Sequence, residues 1–229
     1  MVSAIIAAAG KSVRMNNTVP KQYRHLAGSP LVSYSLLTLD ACPDIEDIFL
    51  VVPRGDMNYC QNSILEPLKL QKRIRLVLGG AFRQESVYNG LVAISRQTTT
   101  VVIHDGARPF VRPDHLSACI LGAKEFGACI LAIPADDTLK HVVDKDVIKT
   151  TLPRDSIWLA QTPQAFQYDL ILKAHEAARR DGFIGTDDAL LVERLGKNIK
   201  AIKGCKTNIK ITTREDLAVA QAMIDAGMV

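Results

Sequence analysis

Apolar residues in this chain gather in short runs that alternate with stretches of helical periodicity. VSAIIAAA (2–9) reads as a buried strand, and PLVSYSLLTLDAC (30–42) as a helix. A second strand, DIFLVVP (47–53), precedes a helical pattern over DMNYCQNSILEPL. RIRLVLGG (73–80) is a third strand, RQESVYNGLVAISR (83–96) a helix and TVVIHD (100–105) a fourth strand. PDHLSACILGAKEF (113–126) is helical and ACILAIPA (128–135) extended. Uninterrupted apolar runs suit strands buried on both faces, and strands rich in β-branched residues that alternate with helices define βαβ units. With right-handed crossovers the predicted fold class is α/β: a Rossmann-like doubly wound, mostly parallel sheet with helices on both faces.

Residues 137–154, DTLKHVVDKDVIKTTLPR, break the rhythm. They read as two short alternating strands around a polar turn at Asp144–Asp146, too charged and too exposed for the central sheet. A lone hairpin cannot bury a face, so a protruding β-arm that packs on something else, a second subunit, is expected. The chain then returns to α/β with WLAQTPQAF, helices over 168–181 and 186–195, a strand at NIKAIKG, a strand-like NIKIT and a last helix from Arg214 to Ala226. No repeat, low-complexity tract or linker interrupts it, which predicts one domain over 1–229 that carries the arm.

Composition narrows the function. Hydrophobic residues make up 48% and charged residues 23%, the balance of a soluble globular protein. No apolar run approaches the roughly 18 residues of a membrane span. The chain enters its first strand with no signal or transit pattern ahead of it, and a cytoplasmic location is expected. The five cysteines are odd in number and lack CxxC spacing, which argues against a disulfide framework and a zinc site; Cys119 and Cys129 read as core residues. The net charge of +4 forms no basic stripe interleaved with aromatics, so it suits a small polyanionic substrate better than nucleic acid.

In an open parallel sheet, ligands bind beyond the carboxyl ends of the strands, and the unusual sequences fall there. After the first strand, Gly10 permits a tight turn and close approach of backbone amides to an anion, Arg14 offers a planar fork and Lys21 a point charge. The same stretch also reads as a plain βα turn with two solvated cations. In GGAFRQES, Gly79 and Gly80 let the backbone come close to a flat ligand and Ser86 can meet a base edge; Arg83 can contact phosphate or simply pair at the helix start. In HDGARPF, Asp105 ends a buried strand, where it can meet a phosphate-borne metal ion, cap a turn or pair with Arg108. His104, on the apolar strand, reads as structural. Arg154, Thr186, Asp187 and Lys210 are further polar candidates, each of which also reads as surface.

G-x-S-x-G, HExxH and GxxxxGK[ST] are all missing, and GxGxxG with them. No general base stands out, which suits a nucleophile that is already ionised.

Taken together, AAAGKSVRM with PKQY, GGAFRQESVYNGL, IHDGARPF, AIPADDTLK, the Arg154 and QTPQAF region, GTDDA and NIKITTREDL make the chain resemble the 2-C-methyl-D-erythritol 4-phosphate cytidylyltransferases, within the larger nucleotidyltransferase family. The resemblance implies CTP and methylerythritol phosphate as substrates. It implies that Ala8, Ala9 and Gly10 hold the nucleotide, that Gly80 and Ser86 read cytosine, and that Arg14 and Lys21 stabilise charge on the triphosphate. It places Asp105 near Mg²⁺ and the substrate diol, and Arg108, Thr138, Arg154, Thr162, Thr186 and Lys210 around the acceptor. It also implies a homodimer in which the arm brings Thr138 and Arg154 to the partner's site. Ser12 stands where the family commonly has a second glycine. A cytidylyltransferase for ribitol 5-phosphate is the alternative, since it shares the nucleotide half.

Overall fold

The computed structural model describes residues 1–10, 20–95 and 97–229. Strands β1 (Val2–Ala7), β2 (Asp47–Val52), β3 (Arg73–Leu78), β4 (Thr100–Asp105) and β5 (Ala128–Pro134) lie where the apolar runs predict. They alternate with α1 (Leu31–Ala41), α2 (Arg83–Ala93) and α3 (Pro113–Phe126). The chain continues through β6 (Leu139–Val143), β7 (Val147–Leu152), β8 (Trp158–Gln167), α4 (Tyr168–Arg180), α5 (Asp188–Glu193), β9 (Lys200–Lys203) and α6 (Arg214–Asp225).

Among the described residues the main sheet runs in the order β9-β5-β8-β4-β1-β2-β3. All its pairings are parallel except those of β8, which runs antiparallel to both β4 and β5. Alternation inside the apolar runs sorts the two layers. Ala4, Ile6, Ile48, Leu50 and Val102 pack with α1 and α3 on one face. Ile5, Phe49, Val51, Val101 and Ile103 pack with α2, α4 and α5 on the other. Such burial on both faces stabilises by about 1.5–3 kcal/mol per large side chain. It therefore fixes the register of the strand ends that form the site.

Three expected elements differ. The helical pattern after β2 is a composite: a 3-10 turn over Arg54–Asp56, short α pieces at Met57–Tyr59 and Glu66–Leu68, and a π turn over Cys60–Leu65 between them. Pro67, which has no amide hydrogen, falls just beyond that wide turn. The helix expected over 186–195 spans only Asp188–Glu193, because the Asp187 carboxylate caps it by accepting from the Leu190 amide at 3.0 Å. The strand expected at NIKIT is a loop pinned by particular bonds rather than a ladder: Asn208 donates to the Thr162 carbonyl at 2.9 Å and the Ile211 amide to Ala107 at 2.8 Å.

The arm has the expected shape. β6 and β7 form a separate two-stranded sheet joined by the Asp144–Asp146 turn, and Val147 and Ile148 are each 57% exposed. No helix among the described residues is long and apolar enough to cross a membrane.

Candidate active site

The strand order turns around at β1 and β4, and the crevice beyond their carboxyl ends is the expected ligand position. A cavity of about 200 Å³ opens there. The end of β1 supplies Ala8, Ala9 and Gly10, the α2 side supplies Ser86, and Lys21 stands opposite on a 3-10 turn, Lys21–Tyr23. That turn is anchored from below. Tyr23 is buried, meets the Tyr59 ring edge-on at 5.1 Å and accepts the Cys60 thiol at 3.1 Å. Burial, reinforced by Cys60, raises the Tyr23 pKa, so it stays a neutral anchor. Gln22, next to Lys21, lines the cavity and is 2% exposed, and its Nε2 has no partner.

A methyl group at Gly79 would come within 2.2 Å of the Ala9 Cβ, so this glycine lets the loop after β3 seat against the end of β1. The Ser86 hydroxyl accepts the Gly80 amide at 3.0 Å and donates to the Phe82 carbonyl at 3.0 Å. It thus holds the loop that the sequence reading assigned to cytosine.

A second cavity, of about 220 Å³, lies beside the first and gathers Arg108, Thr162, Thr186 and Asp187. Arg83, Asp105 and Lys210 line both cavities and form the wall between them. Asp105 Oδ1 accepts Arg83 Nε at 2.9 Å, and its Oδ2 pairs with Lys210 Nζ at 2.6 Å. Burial opposes the Asp105 charge, but Arg83 and Lys210 outweigh it and hold the carboxyl well below the usual carboxylate range. The Asp105–Arg108 pairing, one of the alternatives open from the sequence, is replaced by these two. Arg108 instead donates to the Asn208 carbonyl at 2.6 Å, and burial lowers its pKa.

Behind the wall, hydrogen bonds run in series. The Asp105 amide donates to Thr162 Oγ1 at 3.0 Å. Thr162 Oγ1 lies 3.1 Å from His104 Nδ1, and His104 Nε2 lies 3.0 Å from the Arg108 carbonyl. The carbonyl can only accept, so the proton sits on Nε2 and Thr162 donates to Nδ1. Burial pushes the His104 pKa down to about 4, which makes it the structural residue expected.

The structure thus brings together Lys21, Ala8, Ala9, Gly10, Ser86, Asp105, Arg108, Thr162, Thr186 and Lys210 across two adjoining cavities. Gly80 sits on the neighbouring loop. Arg14 and Ser12 lie outside the described residues. Thr138 and Arg154 line neither cavity: Thr138 is exposed, and Arg154, at the root of the arm, donates to the Asp136 carbonyl at 2.5 Å. Direct metal ligation by Asp105 does not suit this geometry, since both its oxygens are paired with cations. The described residues include no group of three histidine, cysteine, aspartate or glutamate side chains able to hold a metal.

Two participants escaped the sequence reading. Asp188 accepts Arg83 Nη1 at 2.8 Å and faces His175 at 3.1 Å, and both are fully enclosed. One signal was available: His175 falls on the apolar stripe of α4 with Ile171, Ala174 and Ala178.

A doubly wound sheet with cations and a glycine at its switch point defines a nucleotide-binding α/β protein equipped for phosphate chemistry. The sequence model of the 2-C-methyl-D-erythritol 4-phosphate cytidylyltransferase family matches residues 2–226, and the chain belongs to that family. Relatives of that name from Pelotomaculum thermopropionicum and Syntrophus aciditrophicus are 45% and 47% identical, over 98% and 97% of this chain and 94% and 95% of theirs. The crystal structure of the 4-diphosphocytidyl-2C-methyl-D-erythritol synthase from Anaerococcus prevotii superposes with a TM-score of 0.87 at 34% identity, over 98% of this chain and 96% of that one. These names favour the methylerythritol branch over ribitol phosphate.

Proposed function

We propose that the chain joins CTP to 2-C-methyl-D-erythritol 4-phosphate, forming 4-diphosphocytidyl-2-C-methyl-D-erythritol and pyrophosphate in the non-mevalonate route to isoprenoids. The observation that carries this reading is the wall of Arg83, Asp105 and Lys210 shared by two adjoining cavities. Two anionic reactants on either side of one charged wall is the arrangement a phosphate-to-phosphate transfer needs.

The acceptor is a phosphate monoester, whose second pKa is about 6, so at neutral pH its oxygen attacks the α-phosphorus without a general base. The new P–O bond forms as the bond to pyrophosphate breaks, and pyrophosphate leaves with that electron pair. Catalysis is then positioning and charge stabilisation. Lys21, together with Arg14, offsets charge on the triphosphate. Lys210, steadied by Asp105, draws the attacking phosphate towards its target, while Arg108 and Thr186 supply further contacts on the acceptor side. A Mg²⁺ ion would be held mainly by the triphosphate and would offset its charge, because Asp105 is already paired on both oxygens.

The arm is assigned to a homodimer interface. Its exposed valines and isoleucine support this, as do Thr138 and Arg154, which lie outside their own chain's cavities. A cytoplasmic setting completes the reading.

Pyrophosphate release from CTP, measured with methylerythritol phosphate and with ribitol 5-phosphate, tests it. Release is expected with the former. Release with ribitol phosphate alone would move the assignment to that acceptor, and none with either would end the enzyme reading.

A further inference from the structure

Nothing in that chemistry requires the histidine and carboxylate enclosed behind the wall. His175 on α4 is 0% exposed and Asp188 on α5 is 1% exposed. His175 Nε2 lies 3.1 Å from Asp188 Oδ1, while Asp188 Oδ2 takes Arg83 Nη1 at 2.8 Å. Arg83 Nε reaches Asp105 at 2.9 Å, and the other Asp105 oxygen holds Lys210 at 2.6 Å. An unbroken series thus crosses from an outer helix to both reactant cavities.

Each member is constrained from two sides. The Asp188 carboxylate has a different donor on each oxygen, so it cannot turn about its own axis without breaking one bond. Arg83 is gripped at Nε and Nη1, leaving Nη2 buried without a partner. The Tyr88 ring lies nearly parallel to His175, 6.4 Å between centroids at 27°, and the Arg179 guanidinium covers Tyr88 at 4.1 Å. His175 Nδ1 is buried with no partner. With the proton on Nε2, only a lone pair is left unmatched there, and the ring's N–H is committed to Asp188. A hydrocarbon side chain would fill this space without an orphaned nitrogen, so filling space does not account for the imidazole.

We propose that His175 is a positioning residue for nucleotidyl transfer: through Asp188 it orients Arg83, and through Arg83 it sets how Asp105 and Lys210 face the acceptor. This rests on the placement of the acceptor phosphate at Lys210. Without the His175 bond, Asp188 turns both oxygens to Arg83 and draws the guanidinium from Asp105. Asp105 then pairs with Lys210 alone and masks the charge that should meet the incoming phosphate.

The test is steady-state kinetics with both substrates, plus calorimetric CTP affinity, on His175→Phe and His175→Gln. Phenylalanine fills the space without a donor; glutamine places an amide N–H near the Nε2 position. A hydrogen bond to a charged group carries enough energy for about a tenfold effect. His175→Phe should raise the acceptor KM or lower kcat by about tenfold while CTP affinity stays within about twofold, and His175→Gln should recover most of the loss. In an Arg83→Lys background, His175→Phe should add less than about twofold, since residues acting in one series are not additive. Unchanged acceptor kinetics, or equal losses in both backgrounds, would overturn the proposal. Should His175→Phe fail to fold, Asp188→Asn takes its place: an acceptor-selective loss supports the proposal, and an equal loss of acceptor and CTP binding overturns it. Lys210→Ala separates the two layers. If it leaves acceptor kinetics untouched, the site reading itself falls and this inference with it.

Discussion

Two cations that the family resemblance places around the acceptor live in opposite surroundings. Lys210 sits on a pinned loop, its ammonium paired with a buried carboxylate that Arg83 and Asp188 hold in turn. Arg154 stands at the root of the arm, exposed, and spends one donor on a carbonyl of its own chain. The wall needs nothing from outside to be in place, because each of its charges has an internal partner. The arm has apolar side chains on its surface, and none of its described residues is buried. On the proposed reading, one part of the acceptor site is assembled by folding and the other by association.

The sharpest way to break this comparison is on the folded side. Lys21→Ala is expected to lower turnover by about 10²–10³, as loss of one charge-stabilising donor does, with little change in CTP affinity. Equal turnover in stopped-time pyrophosphate assays would remove Lys21 from its role. The arm side is tested by mixing chains. Lys210→Ala and Arg154→Ala should each be nearly inactive alone. If the arm crosses between subunits in a two-fold dimer, an equal mixture should regain about a quarter of native activity, since each mixed dimer has one intact site. No recovery would place Arg154 in its own chain's site.

A third prediction concerns the support behind the wall. Burial holds the folded His104 pKa at about 4 against an ordinary value of 6.5. The unfolded chain therefore takes up a proton first as pH falls, and stability is lost between about pH 6.5 and 4, by roughly 3 kcal/mol in full. Urea midpoints should be level from pH 7 to 8 and decline below 6.5. A midpoint that stays level down to pH 4.5 would contradict the buried neutral ring. The smallest effect belongs to the arm: Ile148→Ser should shift the chain's own stability by no more than about 0.5 kcal/mol, yet weaken self-association in sedimentation. A large loss of stability would mean the arm is packed on its own domain.

What could be read in the sequence follows from how local each signal was. The βαβ units and the arm were legible because apolar runs, β-branched residues and turn residues act over neighbouring positions. So were the strand-end residues, since the switch-point rule turns topology into location. NIKIT was misread because alternating isoleucines mimic a strand, whereas Asn208 is held by Thr162 and Arg108, far away in sequence. Lys210 nevertheless arrives at the site, because Ile211 on one side and Asn208 on the other anchor the loop. Asp188 looked like one more acidic residue in a helix's first turn; its pairing with Arg83 spans 105 positions and leaves no local trace. Gly79, credited to ligand approach, is also required by its close contact with Ala9, a pairing of residues 70 positions apart that leaves no local trace.

The direction of β8 has one more effect. Because it runs against its neighbours, it begins at the edge where they end, so the chain leaves β5, makes the arm and re-enters the sheet without crossing to the far side. A parallel strand at that position would have required a crossover and a helix. The turnaround puts the arm and Thr162 on one short span of chain, leaving the loops around the nucleotide on others. Of the residues assigned to the acceptor, Thr138 and Arg154 thus share one short span with Thr162, while Arg108, Thr186 and Lys210 come from other parts of the chain.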